Sequence, residues 1–301
     1  MNKKAQFQFA WIFAVIVGAL ILFLAFYFVG TTLLRQRYEQ ETIQAQSLDI
    51  LLNPFAYLGS LGATTYNPLA LPEESEILLD CYEIELGDLG YNEITLVSEE
   101  EAGIPKLAYD KYIFAPQPMK GKNFEALSKP LELPWRVADL IILWPADQEY
   151  CFTREISELE RLNISTIKIK NVDECGPDSI SVCINSAGCD ITVSTTSKTV
   201  KKQGKTLHYT HDSLMYAAIF SDPVLYECNV QRLASRIYTE SEIYEKKAIL
   251  LAQKNCNTAY NLDSIKDAAH ATFINPLNIR QIETAAETLK YINNRADCAL
   301  F

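Results

Sequence analysis

Between Gln6 and Leu34 the chain has no Asp, Glu, Lys, Arg or His. That gap excludes an ordinary water-exposed helix, which needs polar residues on one face. A bilayer core takes about 20 apolar residues as a helix, and Phe9–Val29 supplies them. A cleaved secretory signal has an apolar core of about 7–15 residues followed by a small-residue cut site. Here the run is longer, and Gly-Thr-Thr-Leu-Leu follows Val29. A helix buried inside a globular partner is the alternative, and the flanks offer no such partner. Residues 9–29 are therefore expected to cross a lipid bilayer.

Cysteine is missing from the span and from everything before Cys81, yet eight follow: Cys81, Cys151, Cys175, Cys183, Cys189, Cys228, Cys256 and Cys298. An even set on one side of a span points to disulfides in an oxidising compartment. A zinc site would call for paired C-x2-C units, which are missing too. Lys3 and Lys4 balance Arg35 and Arg37 across the span, so the positive-inside rule is nearly tied. The cysteines break the tie: N terminus cytoplasmic, C-terminal region extracytoplasmic. The sequon Asn163-Ile164-Ser165 is a glycosylation candidate that agrees with this orientation.

No G-x-S-x-G elbow, Walker A or G-x-G-x-x-G run occurs, and histidine is scarce, with three in 301 residues. His208-x-x-His211-Asp212 is the one cluster whose composition suits a metal. It lacks the H-E-x-x-H pattern, and on a strand the two imidazoles point to opposite faces. The stretch reads instead as a strand entering a helix capped by Asp212, and His270 stands alone. The expectation is a non-enzyme with no metal and no cofactor. A net charge of −11, more negative once the two leader lysines are set aside, repels nucleic acid.

Past the span, Leu34, Tyr38, Ala45, Leu48 and Leu52 keep a helical period up to Pro54, predicting an amphipathic stalk about 30 Å long at 1.5 Å per residue. Residues 54–75, with three prolines and two glycines, read as a linker. Strand-like runs follow at 77–84, 93–97, 112–115, 140–144, 165–170, 180–184 and 190–194. "VADLIILW" is expected as a central strand, and "SISVCINSAGCDITVS" as a hairpin turning at Asn185–Gly188. After residue 212 the pattern becomes helical. Ser221-Asp222-Pro223 and Asn275-Pro276 mark helix starts, and Tyr226, Val230, Leu233, Ile237, Tyr244, Ala248 and Leu251 form one stripe. Ile279, Ile282, Ala286 and Leu289 form another. Cys256 and Cys298 end the first and last of these helices, which an up-down-up order would bring together. The fold class expected is α+β: leader 1–5, transmembrane helix and stalk 6–53, linker 54–75, β-rich head 76–212 and helical region 213–301.

Lys3-Lys4-Ala5-Gln6, directly before the apolar helix, resembles the class III leader of archaeal type IV pilin-like proteins. The whole chain also resembles single-span surface proteins of small-genome archaea. The first resemblance implies cleavage between Ala5 and Gln6 on the cytoplasmic face and a helix retained for assembly. Many pilins carry Glu at the fifth mature position, where this chain has Ala10. An ordinary cytoplasm-facing anchor accounts for the same lysines. Ala10, Ala14 and Gly18 lie on one helical stripe where two spans could approach closely. The function expected is a structural or adhesive surface protein, of the kind of a pilin-like or minor-pilin subunit with self-association. The alternatives are a tethered partner-binding ectodomain and, less favoured, a tethered hydrolase.

Overall fold

The computed structural model describes residues 11–29, 52, 64–98, 101–154, 157–256 and 260–301. The protein is α+β. An apolar helix, α1 (Trp11–Val29), is exposed along its whole length. The stalk expected at 30–53 lies outside the described residues except for Leu52, which is helical and fully buried in the body.

The body begins with β1 (Thr65–Tyr82), β2 (Tyr91–Ser98), β3 (Glu101–Ala102), β4 (Lys106–Ala108), β5 (Tyr112–Phe114), β6 (Met119–Glu132) and β7 (Arg136–Pro145). They form a seven-stranded sheet in the order β3-β2-β1-β6-β7-β5, with β4 on β2. All pairings are antiparallel except β5 with β7. The sheet curls on itself, since Asn92 of β2 accepts a hydrogen bond from Ile113 N of β5 at 3.1 Å, across the strand order. On β7, Leu140, Ile142 and Trp144 face one core and Ile141 and Leu143 the other. Burial on both faces explains why Leu140–Trp144 is apolar at every position; this strand lies between β6 and β5.

A second, six-stranded sheet has the order β13-β12-β11-β10-β8-β9. Its strands are β8 (Tyr150–Phe152), β9 (Ile167–Ile169), β10 (Ile180–Ile184), β11 (Ile191–Ser194), β12 (Thr199–Lys202) and β13 (Lys205–His208), with the short helix α2 (Ser157–Leu162) between β8 and β9. The helices α3 (Asp212–Phe220), α4 (Pro223–Ala252), α5 (Asp263–Ile274) and α6 (Ile279–Asn293) complete the chain. Asp222 caps α4 by accepting from Val224 N and Leu225 N, with Pro223 in the first turn, as the sequence predicts. One apolar core runs from Tyr112 to Leu300. The change at residue 212 is thus a change of secondary structure inside one body.

Two expectations need correction. Residues 65–75 of the expected linker belong to β1. Pro68 pairs only toward β6, because β2 joins β1 from Glu76 onward, and Pro72 falls where the β1–β6 register shifts between Ala70 and Ser75. Proline is tolerated at an edge or a bulge, where no ladder N–H is required. The expected hairpin is also wrong: β10 and β11 pair in parallel, Cys183 opposite Thr192. The chain between them folds over as an arc. Asn185 takes positive φ, its side chain bonds Thr195, Asp190 Oδ2 accepts from Ser181 N and Oγ, and Cys183 bridges Cys189. Alternation in sequence is the same for either direction, so it could not separate the two.

Candidate functional site

The outward residues of β1 are Leu78, Asp80 and Tyr82, since Ile77 and Leu79 point into the core. Register sets Tyr82 opposite Tyr91 and Asp80 opposite Glu93 on β2. Tyr109, just past β4, extends the row. Ring centroids are 5.0 Å apart for Tyr82–Tyr91 and 5.3 Å for Tyr91–Tyr109, with interplanar angles of 32° and 58°. Tyr82 is 42% exposed and Tyr109 56%. Beside this row Asp80 and Glu93 face each other as like charges, which disfavours the strand pair. Among the described residues no Lys or Arg forms an ion pair with either. Glu93 first, then Asp80, hold the Tyr82 hydroxyl above the usual phenol pKa. Glu83, Glu85 and Asp88, all exposed, follow in the β1–β2 loop.

That loop is pinned from below by one face of α4. Cys228, Arg232, Ser235 and Thr239 recur at intervals of three or four, so they line up on the helix. Cys228 bridges Cys81. Ser235 Oγ donates to Asp88 O at 2.7 Å and accepts from Gly87 N at 2.8 Å, while Thr239 Oγ1 donates to Gly87 O. Arg232 is 1% exposed and bonds no carboxylate among the described residues. Its guanidinium donates to the carbonyls of Leu89, Gly90, Tyr109 and Lys111 and to the side-chain oxygens of Asn92 and Asn229. It also lies 4.7 Å from the centroid of the Tyr112 ring. Burial lowers its pKa to about 10, which leaves it charged at neutral pH. Gly90 is required at its position: φ is +55°, and a Cβ would sit 2.1 Å from Tyr82 O. The β1–β2 loop beside the tyrosine row is therefore tied to α4 by a cystine and several hydrogen bonds.

A second feature is a cavity of about 260 Å³ lined by Gln117, Tyr150, Asp190, Lys202 and Asp222 among others. Lys202 donates to Ile219 O in the last turn of α3 at 2.6 Å and to Ser221 O, the C-cap residue, at 2.7 Å. Burial lowers its pKa to about 8, opposed by the Asp222 charge. Lys202 thus serves as a C-terminal cap, Asp222 caps α4, and Asp190 is held by Ser181. The polar groups here mostly complete secondary structure.

The leader residues Lys3, Lys4, Ala5 and Gln6, and Ala10, lie outside the described residues. Ala14 and Gly18 are exposed on α1. The eight cysteines pair as Cys81–Cys228, Cys151–Cys175, Cys183–Cys189 and Cys256–Cys298. The last pair, expected from the sequence, joins residues a few positions beyond the ends of α4 and α6. Asn163 is exposed, with φ of 49°, just after α2. His208 ends β13, and burial lowers its pKa, with Arg280 adding to the effect. His211 Nδ1 accepts from Ser213 N and caps α3. This corrects the expectation for Asp212, which lies within the first turn of the helix instead. His270 is exposed on α5. Among the described residues no group of three or more His, Cys, Asp or Glu could hold a metal. Sequence reasoning missed the tyrosine row and Arg232. The available signal was "LLDCYEIE" with "YNEITL", where apolar residues alternate with tyrosine and acid.

Comparison with known families, curated proteins and solved structures finds no match to this chain.

Proposed function

We propose that the chain is a single-pass membrane protein with a cytoplasmic N terminus and a disulfide-braced head outside, serving an adhesive or structural role at the cell surface. The observation that carries this reading is α1: 19 residues without a single charged side chain, with every face exposed. So large an apolar surface calls for lipid or a partner to cover it. Four cystines, all on one side of that helix, support an oxidising compartment for the head. No catalytic role, cofactor or nucleic-acid partner enters this reading.

Assembly through the stem is the second reading, favoured by Lys3-Lys4-Ala5-Gln6 and by Gly18, beside which a Cβ would meet nothing within 4 Å. Small residues let helices approach closely in lipid. The test is the mature N terminus, read by mass spectrometry of protein from its own membranes, together with protease protection of sealed vesicles. Gln6 as first residue supports assembly, and an intact Met1 with a protease-accessible head supports the plain tether. A cut beyond Val29 overturns the anchor itself, and a head enclosed in the cytoplasm overturns the proposed orientation.

A further inference from the structure

The outer face of the first sheet combines three features. Tyr82, Tyr91 and Tyr109 form a cross-strand row whose outer members are about half exposed. Asp80 and Glu93 lie opposite one another in the adjacent row without a cationic partner among the described residues. The loop that frames them is fixed by Cys81–Cys228, Arg232 and Ser235. We propose that this face is a docking surface for a cationic, lysine- or arginine-bearing segment of a partner protein. It goes beyond the membrane reading and does not depend on it, because the head would carry the same face if it were secreted.

Charge complementarity selects the occupant. A cation over a tyrosine ring is attracted by the ring's quadrupole, and a carboxylate in the next row attracts the same charge. A directly opposed Asp and Glu weaken their own strand pair, and a bound ammonium or guanidinium would remove that repulsion. The rings tilt by 32° and 58° to one another, so they offer no flat platform for stacking a sugar, while their several faces suit a side chain entering between them. Glu83, Glu85 and Asp88 on the pinned loop extend the same sign of field. Holding the loop in place beforehand lowers the ordering cost of binding.

The test uses the full chain in detergent micelles and three probes: a hexalysine peptide, its fully Nε-acetylated counterpart, and a neutral hexasaccharide of N-acetylglucosamine. Hexalysine should bind and the acetylated peptide should not. Tyr82→Ala and Tyr109→Ala should each weaken binding by about 2- to 5-fold. Asp80→Asn with Glu93→Gln should weaken it by about 10-fold at low salt, a loss that shrinks as salt screens the charges. Glu287→Gln with Asp297→Asn, two exposed acids elsewhere, should change nothing and thereby exclude a general effect of net charge. The Asp80→Asn, Glu93→Gln protein should also melt at a higher temperature than the parent, since a repulsion is removed. A stabilised protein that binds less is the signature expected of a recognition pair. Unchanged hexalysine binding in the tyrosine or carboxamide variants overturns the proposal, as does equal binding of the acetylated peptide. Saccharide binding that needs the tyrosines but not the acids reassigns the face to sugar and also overturns it, and a lowered melting temperature makes the acid pair structural.

Discussion

The two sheets are held in opposite ways. The first is built from long, mainly antiparallel strands, with 18 residues in β1 and 14 in β6. The cystine that touches it, Cys81–Cys228, ties it to α4 across 147 residues of sequence. The second sheet uses strands of three to five residues, and its core pairings β9-β8-β10-β11 are all parallel. Two cystines close short loops within it, Cys151–Cys175 and Cys183–Cys189, with separations of 24 and 6. Long antiparallel ladders gather enough hydrogen bonds and apolar contacts to set their own register. Short parallel strands do not, so their connections carry braces. Cystines therefore secure tertiary position in one sheet and local chain path in the other.

Separate removal of the cystines puts this contrast at risk most directly. On the loop-entropy model, replacing Cys81 and Cys228 by alanine should cost about 5 kcal/mol, and replacing Cys183 and Cys189 about 2 kcal/mol. Denaturant unfolding of the two double variants measures both. The reverse order would mean that the arc between β10 and β11, and not the tie to α4, governs global stability. Next in size is Arg232→Met. It keeps the apolar stem but orphans carbonyls at Leu89, Gly90, Tyr109 and Lys111, and should cost about 3–5 kcal/mol. Arg232→Lys should recover little, because one compact ammonium cannot span so many acceptors. Hydrogen exchange should show the β1–β2 loop opening first while β8–β11 stay protected.

The smallest effect is alkaline. Burial, as the first cause, raises the Tyr209 pKa to about 12 and pushes those of Tyr150 and Tyr226 higher still. The unfolded chain loses these protons first, so stability should fall as pH rises above about 10, where a free tyrosine ionises. Lys202 has the opposite sign. With a folded pKa of about 8, its burial cost is present at neutral pH and fades as pH climbs toward about 10.4. Melting temperature should thus rise gently above pH 8 and turn down past about pH 10. Tyr226→Phe should flatten the decline. All four groups lie in or beside the second sheet, so that sheet should lose its exchange protection first at high pH.

Elements with a strong local signature are legible in the residues themselves. The charge gap marks α1, Asp222-Pro223 marks the start of α4, and the apolar stripes on α4 and α6 become core positions such as Val230, Leu233, Ile282 and Leu289. Strand β6 has no such signature. Lys120, Gly121, Lys122, Lys129 and Pro130 blur its alternation, and long-range pairing with β1 and β7 overrides that weak propensity. Cys256–Cys298 is legible because helix ends report their own positions. The partners of Cys81, Cys151 and Cys183 depend on which strands lie together.

Composition and period in the sequence were enough to determine an apolar helix within residues 9–29, an α+β body, the Asp222-capped start of α4 and an oxidisable cysteine set on one side. These depend on neighbours within a few residues, where sterics, capping and side-chain spacing act directly. Tertiary structure alone decided that β10 and β11 run parallel, that β1 begins inside a proline-bearing stretch, and that Arg232 gathers carbonyls from two loops. It alone set three tyrosines beside two opposed acids. Each of those outcomes joins residues far apart in the chain, and such contacts form only when the whole core makes up for the entropy of closing the loops between them.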